Sequence, residues 1–333
     1  MHTRNAGAAY AQPGKLQKCL PMVIYEKYLY IYELFSMNMN TIYLRLLALV
    51  AFTAFMQSCS VEQIDPITAS QTEARAPGTQ RTTSDNLLMG NPSNAVTSTT
   101  SPTNYLMQKL QFALSYNRDL GKPNWVSWHL DPTWLGSASR TDAFASDATL
   151  PTGWYRVTSS SYTNSGFDRG HNTPSADRTL NSTDNAVTFL MTNIMPQAPI
   201  NNQQTWARLE TYCRTLVGQG NELYIVCGSY GVGGTGSNGY RTTLDNGRVT
   251  VPSNCWKVAI ILPQGTNDIS RISTTTRVIA INTPNSNSLS TSWGTYRTSV
   301  DAIEASTGYD LFSNMPDAIE ANLESRIDNG PTQ

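Results

Sequence analysis

The sequence predicts an α+β domain: a central antiparallel sheet flanked by helices. Three observations carry this. Between residues 104 and 330 short apolar/polar alternations are interspersed with helical periodicity, a turn-rich segment joins two alternating runs, and nothing repeats at a fixed interval. Phe112, Leu114 and Tyr116 alternate with polar residues, residues 117–123 are rich in turn formers, and 125–130 resume as a strand, which makes a hairpin. Further strands are expected at 186–191, 223–227, 256–262 and 277–281. A helix is expected from about residue 202, because Trp206, Leu209, Tyr212/Cys213 and Leu216/Val217 recur at three- and four-residue steps until Gly218 and Gly220 stop it. Shorter helical segments are expected at 300–306 and 316–327. The glycine-rich stretch 228–247 lacks the Lys-Ser/Thr of a phosphate-binding loop and reads as a long hairpin connection.

Ahead of this domain the composition changes twice. From Met37 the chain runs into an apolar stretch, 42–56, interrupted by Arg45 and ending at Gln57-Ser58-Cys59. That stretch is too short to span a bilayer comfortably and has the size of a signal-peptide core. A small residue followed by Cys resembles the site where bacterial lipoproteins are cleaved and lipidated, although Met56 and Gln57 depart from the usual pattern. Residues 1–58 are therefore expected to be a leader, with 37–58 the lipoprotein-type signal. Residues 1–36 fit no leader region, and translation is expected to start at Met37 or Met39. Cys59 becomes the lipidated end, a membrane anchor for an exported protein of the cell envelope; an ordinary signal peptide with a coincidental cysteine, and secretion, is the alternative. Residues 59–103, rich in Ser, Thr, Asn, Gln and Pro, read as a flexible linker.

Charge and cysteine content narrow the function classes. The chain has 23 basic and 24 acidic residues; without residues 1–58, which hold five and two, 18 and 22 remain, a net charge of -4. A static nucleic-acid-coating protein needs many phosphate contacts and is disfavoured, whereas an enzyme needs only a local positive cleft. Cysteines 19, 59, 213, 227 and 255 form no CxxC pair, which sets a structural zinc site aside. The three in the domain permit one disulfide and one thiol, or three buried thiols.

The chemistry concentrates in Asp168-Arg169-Gly170-His171, followed by Pro174, Ala176 and Asp177. Downstream come 192–197 (TNIMPQ), then Asn202, Trp206, Leu209-Glu210 and Arg214; upstream stand 124–128 (NWVSW) and Arg140, and late in the chain Val251-Pro252 and Trp256-Lys257. In these residues the chain, over about 110–327, resembles the DNA/RNA nonspecific endonucleases of the ββα-metal type, the group that includes endonuclease G. It departs from their pattern at Asn172 and Gln204, where local packing could differ.

The resemblance implies a metal-dependent endonuclease acting on DNA and RNA, with Mg²⁺ or, in its place, Mn²⁺ as cofactor. His171 is one of three histidines, and its ordinary pKa of about 6.5 suits a general base. His129, in an apolar strand, reads as structural. Family likeness makes Asn202 the direct metal ligand, a hard oxygen donor suited to a cation that keeps most of its waters; a helix N-cap is its alternative role. Glu210, eight residues on, would orient water around the metal, or else pair with Arg214 one turn away. Arg140 and Arg214 would face the scissile phosphate, while Asp168, Arg169 and Asn193 shape the site. Attack by water leaves 5′-phosphates, and no proposed contact reads a base edge. The rivals are a non-catalytic surface lipoprotein that binds nucleic acid and a phosphodiesterase of the same fold with another substrate. No protein partner can be inferred.

Overall fold

The computed structural model describes residues 82–333; the expected leader and Cys59 lie outside the described residues. The principal strands are β1 (Tyr105–Gln108), β2 (Ala113–Asn117), β3 (Lys122–Leu130), β4 (Asp168–His171), β5 (Ile194–Gln197), β6 (Asn221–Tyr230), β7 (Asn254–Pro263) and β8 (Arg277–Pro284). Six of them form one sheet in the order β1-β2-β3-β6-β7-β8, each neighbour antiparallel. The principal helices are α1 (Ser182–Val187), α2 (Ala207–Gly218), α3 (Val300–Thr307) and α4 (Asp317–Glu324).

Strand periodicity sorts side chains onto two faces. On one, Val126, Trp128 and Leu130 of β3, Leu223, Ile225 and Cys227 of β6, and Ala259 and Ile261 of β7 meet Trp206, Leu209, Cys213 and Leu216 from the α2 region. On the other, Trp125, Tyr224, Val226, Trp256 and Val258 meet Val300 and Ile303 of α3 and Leu323 of α4. Covered on both faces, β6 and β7 are buried almost throughout, which explains their near-continuous apolar sequence. The hairpin and the strands expected around 223–227, 256–262 and 277–281 are present and longer than the sequence suggested.

Two expectations require correction. Residues 186–191 are not a strand: Asn181 caps α1 by accepting from the Asp184 N–H, and a short turn at Met191–Asn193 follows. Their apolar/polar alternation accompanies packing into different surroundings, Val187 in the main core and Phe189 on His171. The domain also begins earlier than residue 104. Met89 and Ala95 join the second core, Asn86 Nδ2 donates to the carbonyls of Lys109 and Leu110, and the Trp125 indole N–H donates to Ser93 Oγ at 2.8 Å. Polar composition concealed this segment because it is held by hydrogen bonds to β1, β3 and a loop and by scattered apolar contacts, not by a periodic apolar face. Cys213, Cys227 and Cys255 are buried free thiols.

Beside the sheet, β4 and β5 form a separate antiparallel pair, with Asp168 opposite Gln197 and His171 opposite Ile194. β5 leads through a π-helical turn, Asn201–Trp206, directly into α2. Gly170 is needed where these strands pass: a Cβ there would stand 2.4 Å from Gln197 Oε1 and 2.7 Å from its Cβ.

Candidate active site

The unit β4-β5-π turn-α2 carries His171, Asn202, Glu210 and Arg214 within one rigid ββα frame. His171 ends β4 and is 8% exposed. Its ring stands edge-on to Phe189 (centroids 4.8 Å apart) and is tilted against Phe144 at 5.4 Å. Two cations ride on the same aromatic bed, Arg140 4.8 Å from the Phe189 centroid and Arg169 4.3 Å from that of Phe144. The Nε2 atom of His171 is buried and has no hydrogen-bond partner in the protein. Burial, reinforced by the charge of Arg140, pushes its pKa down to about 3, so the imidazole is neutral near pH 7. A neutral imidazole offers one acceptor nitrogen. Arg140 is half exposed and pairs with Asp142 at 2.7 Å, leaving the guanidinium at the solvent edge of the bed.

Asn202 lies inside the π turn, the kind of local widening that recurs at functional sites. Its backbone N–H already donates to the Ala198 carbonyl, and its side-chain Nδ2 donates to Asp168 Oδ2 at 2.8 Å. It therefore does not cap the helix. Gln203 Nε2 donates to the same carboxylate oxygen, also at 2.8 Å. Asp168 thus fixes the Asn202 amide, whose Oδ1 makes no hydrogen bond within the described residues.

A third group sits behind the first two, between α2 and the sheet. Glu210 Oε1 meets Lys257 Nζ at 3.1 Å, and Lys257, 1% exposed, also lies 4.4 Å from the Trp206 centroid. Burial works against this ammonium, but the Glu210 carboxylate overrides it and holds Lys257 above the usual lysine range. Arg214 Nη1 donates to Asp177 Oδ1 at 2.8 Å, while Asp177 Oδ2 accepts from the Trp128 indole at 3.0 Å. Glu210 and Arg214 thus take separate partners in place of the helical ion pair expected from their spacing.

Asn193 is fully buried and works as a staple: Oδ1 accepts from Thr173 N–H, and Nδ2 donates to the carbonyls of Thr173 and Thr188. The Asn172 side chain donates to the Asn193 carbonyl and accepts from the Cys227 thiol. His129 faces the other side of the sheet, stacked on Tyr224 and 3.0 Å from Glu222.

Sequence reasoning gave no role to Lys257, to Asp177 as the partner of Arg214, or to Phe144 and Phe189. For Lys257 a signal existed: a lone lysine inside an apolar strand must find a buried counter-charge. The aromatic bed had none, since Phe144 and Phe189 meet His171 only through the tertiary fold. Among the described residues, the His, Asp and Glu clusters close enough to share one ion are His129/Glu222/Asp268, Asp301/Glu304/Glu324 and Asp310/Glu320/Glu324, and none includes a residue of this site.

Comparison with known proteins identifies the family. The family model described as DNA/RNA non-specific endonuclease matches residues 89–318. A nuclease of Nostoc sp. is 47% identical over 285 residues, covering 85% of this chain and 98% of the relative. Nuclease C1 of Cunninghamella echinulata is 33% identical, over 48% of this chain and 66% of its own. The crystal structure of the EndoG/EndoGI complex superposes with a TM-score of 0.56, over 70% of this chain and 91% of that one, at 20% identity, a likeness of fold. The chain belongs to the DNA/RNA non-specific endonuclease family and is a hydrolase of that class.

Proposed function

We propose that the enzyme hydrolyses phosphodiester bonds of both DNA and RNA to 5′-phosphate products, with His171 as general base and a divalent cation held through Asn202. The observation that carries this reading is the buried, unpartnered Nε2 of His171, set beside two arginines on a shared aromatic bed. Water attacks phosphorus in line with the 3′-oxygen. The new O–P bond forms as P–O3′ breaks, the water proton passes to the acceptor nitrogen of His171, and the departing 3′-oxygen takes a proton from a second water.

The donor set fits a hydrated cation, because Mg²⁺ keeps several waters and needs only one or two protein oxygens, here Asn202 Oδ1 oriented by Asp168. When bound, Mg²⁺, or Mn²⁺ in its place, would supply charge to offset that of the phosphate and leaving oxygen. Arg140 meets the phosphate from the solvent side. Arg214, oriented by its pair with Asp177, would offer its remaining N–H donors to the phosphate. Glu210, fixed by Lys257, and Asp168 present the negative side of the site and orient water. Arg169 and Asn193 hold β4 and its following loop in shape.

The test is to incubate the full chain with double-stranded DNA, single-stranded DNA and RNA at matched phosphate concentration, with and without EDTA. All three should be cut, with 5′-phosphate ends, and EDTA should abolish cutting. Cleavage at one recognition sequence, or RNA ends that are 2′,3′-cyclic phosphates, would overturn the reading. Asn202→Ala should raise the Mg²⁺ concentration for half-maximal activity by ~10-fold or more, the scale of losing a ligand-level contact; an unchanged requirement would return Asn202 to a purely structural role.

We also propose, from the sequence around residues 37–59, that the enzyme is exported and anchored through lipid on Cys59. Cys59→Ser should move the protein from the membrane fraction to the medium or periplasm. Mass spectrometry of the wild-type N-terminus finding no lipid and a different first residue would defeat this.

A further inference from the structure

On the sheet face opposite the active site, α3 and α4 bring five carboxylates together. Asp301, Glu304 and Glu324 have oxygens within 4.8 Å of one another, and so do Asp310, Glu320 and Glu324. The spacing on each helix is the reason: Asp301 and Glu304 are three residues apart on α3, and Glu320 and Glu324 four apart on α4, so each pair shares one helix face. The intervening loop supplies Asp310. Such pairs repel, and among the described residues no Lys or Arg forms an ion pair with any of the five. Arg326, two residues beyond Glu324, donates instead to the Thr276 carbonyl.

Glu324 makes this more than a surface acidic patch. It is 8% exposed, lies in both triads, and its Oε1 is buried with no hydrogen-bond donor against it. A buried carboxylate oxygen without a donor is costly unless a proton or a cation meets it. Glu304, the neighbour facing it, spends its own Oε1 on the Leu311 N–H.

We propose that the two triads formed by Asp301, Glu304, Asp310, Glu320 and Glu324 make a structural Ca²⁺ site on Glu324, the residue common to both, with water completing the shell, and that the ion ties α3 and α4 together. Ca²⁺ takes six to eight oxygens at about 2.4 Å in flexible geometry, so donors on opposite sides of one ion stand about 4.8 Å apart. The all-carboxylate donor set suits a hard cation better than Zn²⁺ or Cu²⁺, which favour nitrogen and sulfur. Bound there, the ion would replace the repulsion between the helices with a shared ligand and would touch no residue of the active site.

The full chain is titrated with Ca²⁺ alone by calorimetry and melted in EDTA or in excess Ca²⁺, as wild type, Glu324→Gln, Glu320→Gln and Asn202→Ala. The expected result is one Ca²⁺ bound by wild type and by Asn202→Ala, with Tm raised by about 5 °C at a hundredfold excess over Kd. Both the binding and the shift should be lost in Glu324→Gln and weakened at least tenfold in Glu320→Gln, with Mg²⁺-supported nuclease activity unchanged in these two. Ca²⁺ binding that survives Glu324→Gln but disappears in Asn202→Ala would assign the ion to the active site and overturn the proposal. So would a cluster answered by protons alone, seen as wild-type Tm rising from pH 8 to pH 6 with no response to Ca²⁺.

Discussion

His171→Ala is expected to remove nuclease activity while leaving a folded protein. General-base removal costs at least ~10²–10⁴-fold, and the imidazole makes no hydrogen bond through Nε2 whose loss would orphan a partner. The packing lost is the edge contact with Phe189 and Phe144, which a small melting shift would register. The pH profile adds a second readout. Because the folded pKa lies near 3, below the ordinary 6.5, His171 stays in its base form as pH falls from 7 to 5, and kcat/KM should not turn down near 6.5 on its account. The same shift makes a stability statement: the unfolded chain takes up this proton below about 6.5 and the folded chain only near 3. The contribution of neutral His171 is therefore present above pH 6.5 and lost as pH falls through that window. A folded His171→Ala protein with near wild-type turnover would remove the proposed mechanism.

Lys257→Met should be the most damaging of the conservative core substitutions. It leaves Glu210, largely buried between α2 and the sheet, without its counter-charge, and breaking a buried pair from one side costs about 3–5 kcal/mol. The double variant Lys257→Met/Glu210→Leu should recover most of that stability, because replacing both members leaves no stranded charge. Activity should not return, since Glu210 is gone. In the single variant the stranded carboxyl can be protonated, so its instability should grow as pH rises above the ordinary carboxylate range. Urea unfolding of the three proteins at pH 5 and pH 8 measures this. A single variant within 1 kcal/mol of wild type at pH 8 would show that the ion pair is not closed.

The sequence by itself determined the α+β class, the β2-β3 hairpin, the long strands and the α2 helix, because each is written in local alternation or helical spacing. It also singled out the Asp-Arg-Gly-His segment and Asn202, Glu210 and Arg214 as candidates, which lie close along the chain and which the fold carries on one ββα unit. It misread 186–191, where the apolar/polar alternation in sequence accompanies packing into different surroundings and not an extended strand. It missed the ordered segment from residue 82 to 103, whose attachment by hydrogen bonds and scattered apolar contacts leaves no periodicity. Only the tertiary structure decided which charges pair: Glu210 with Lys257 across 47 residues and Arg214 with Asp177 across 37, in place of the neighbours one helical turn apart. The same holds for the bed of Phe144 and Phe189 that sinks the His171 pKa, and for the five carboxylates gathered by α3 and α4. Electrostatic free energy depends on distance through space and on burial, and neither quantity is fixed until the sheet brings remote segments together.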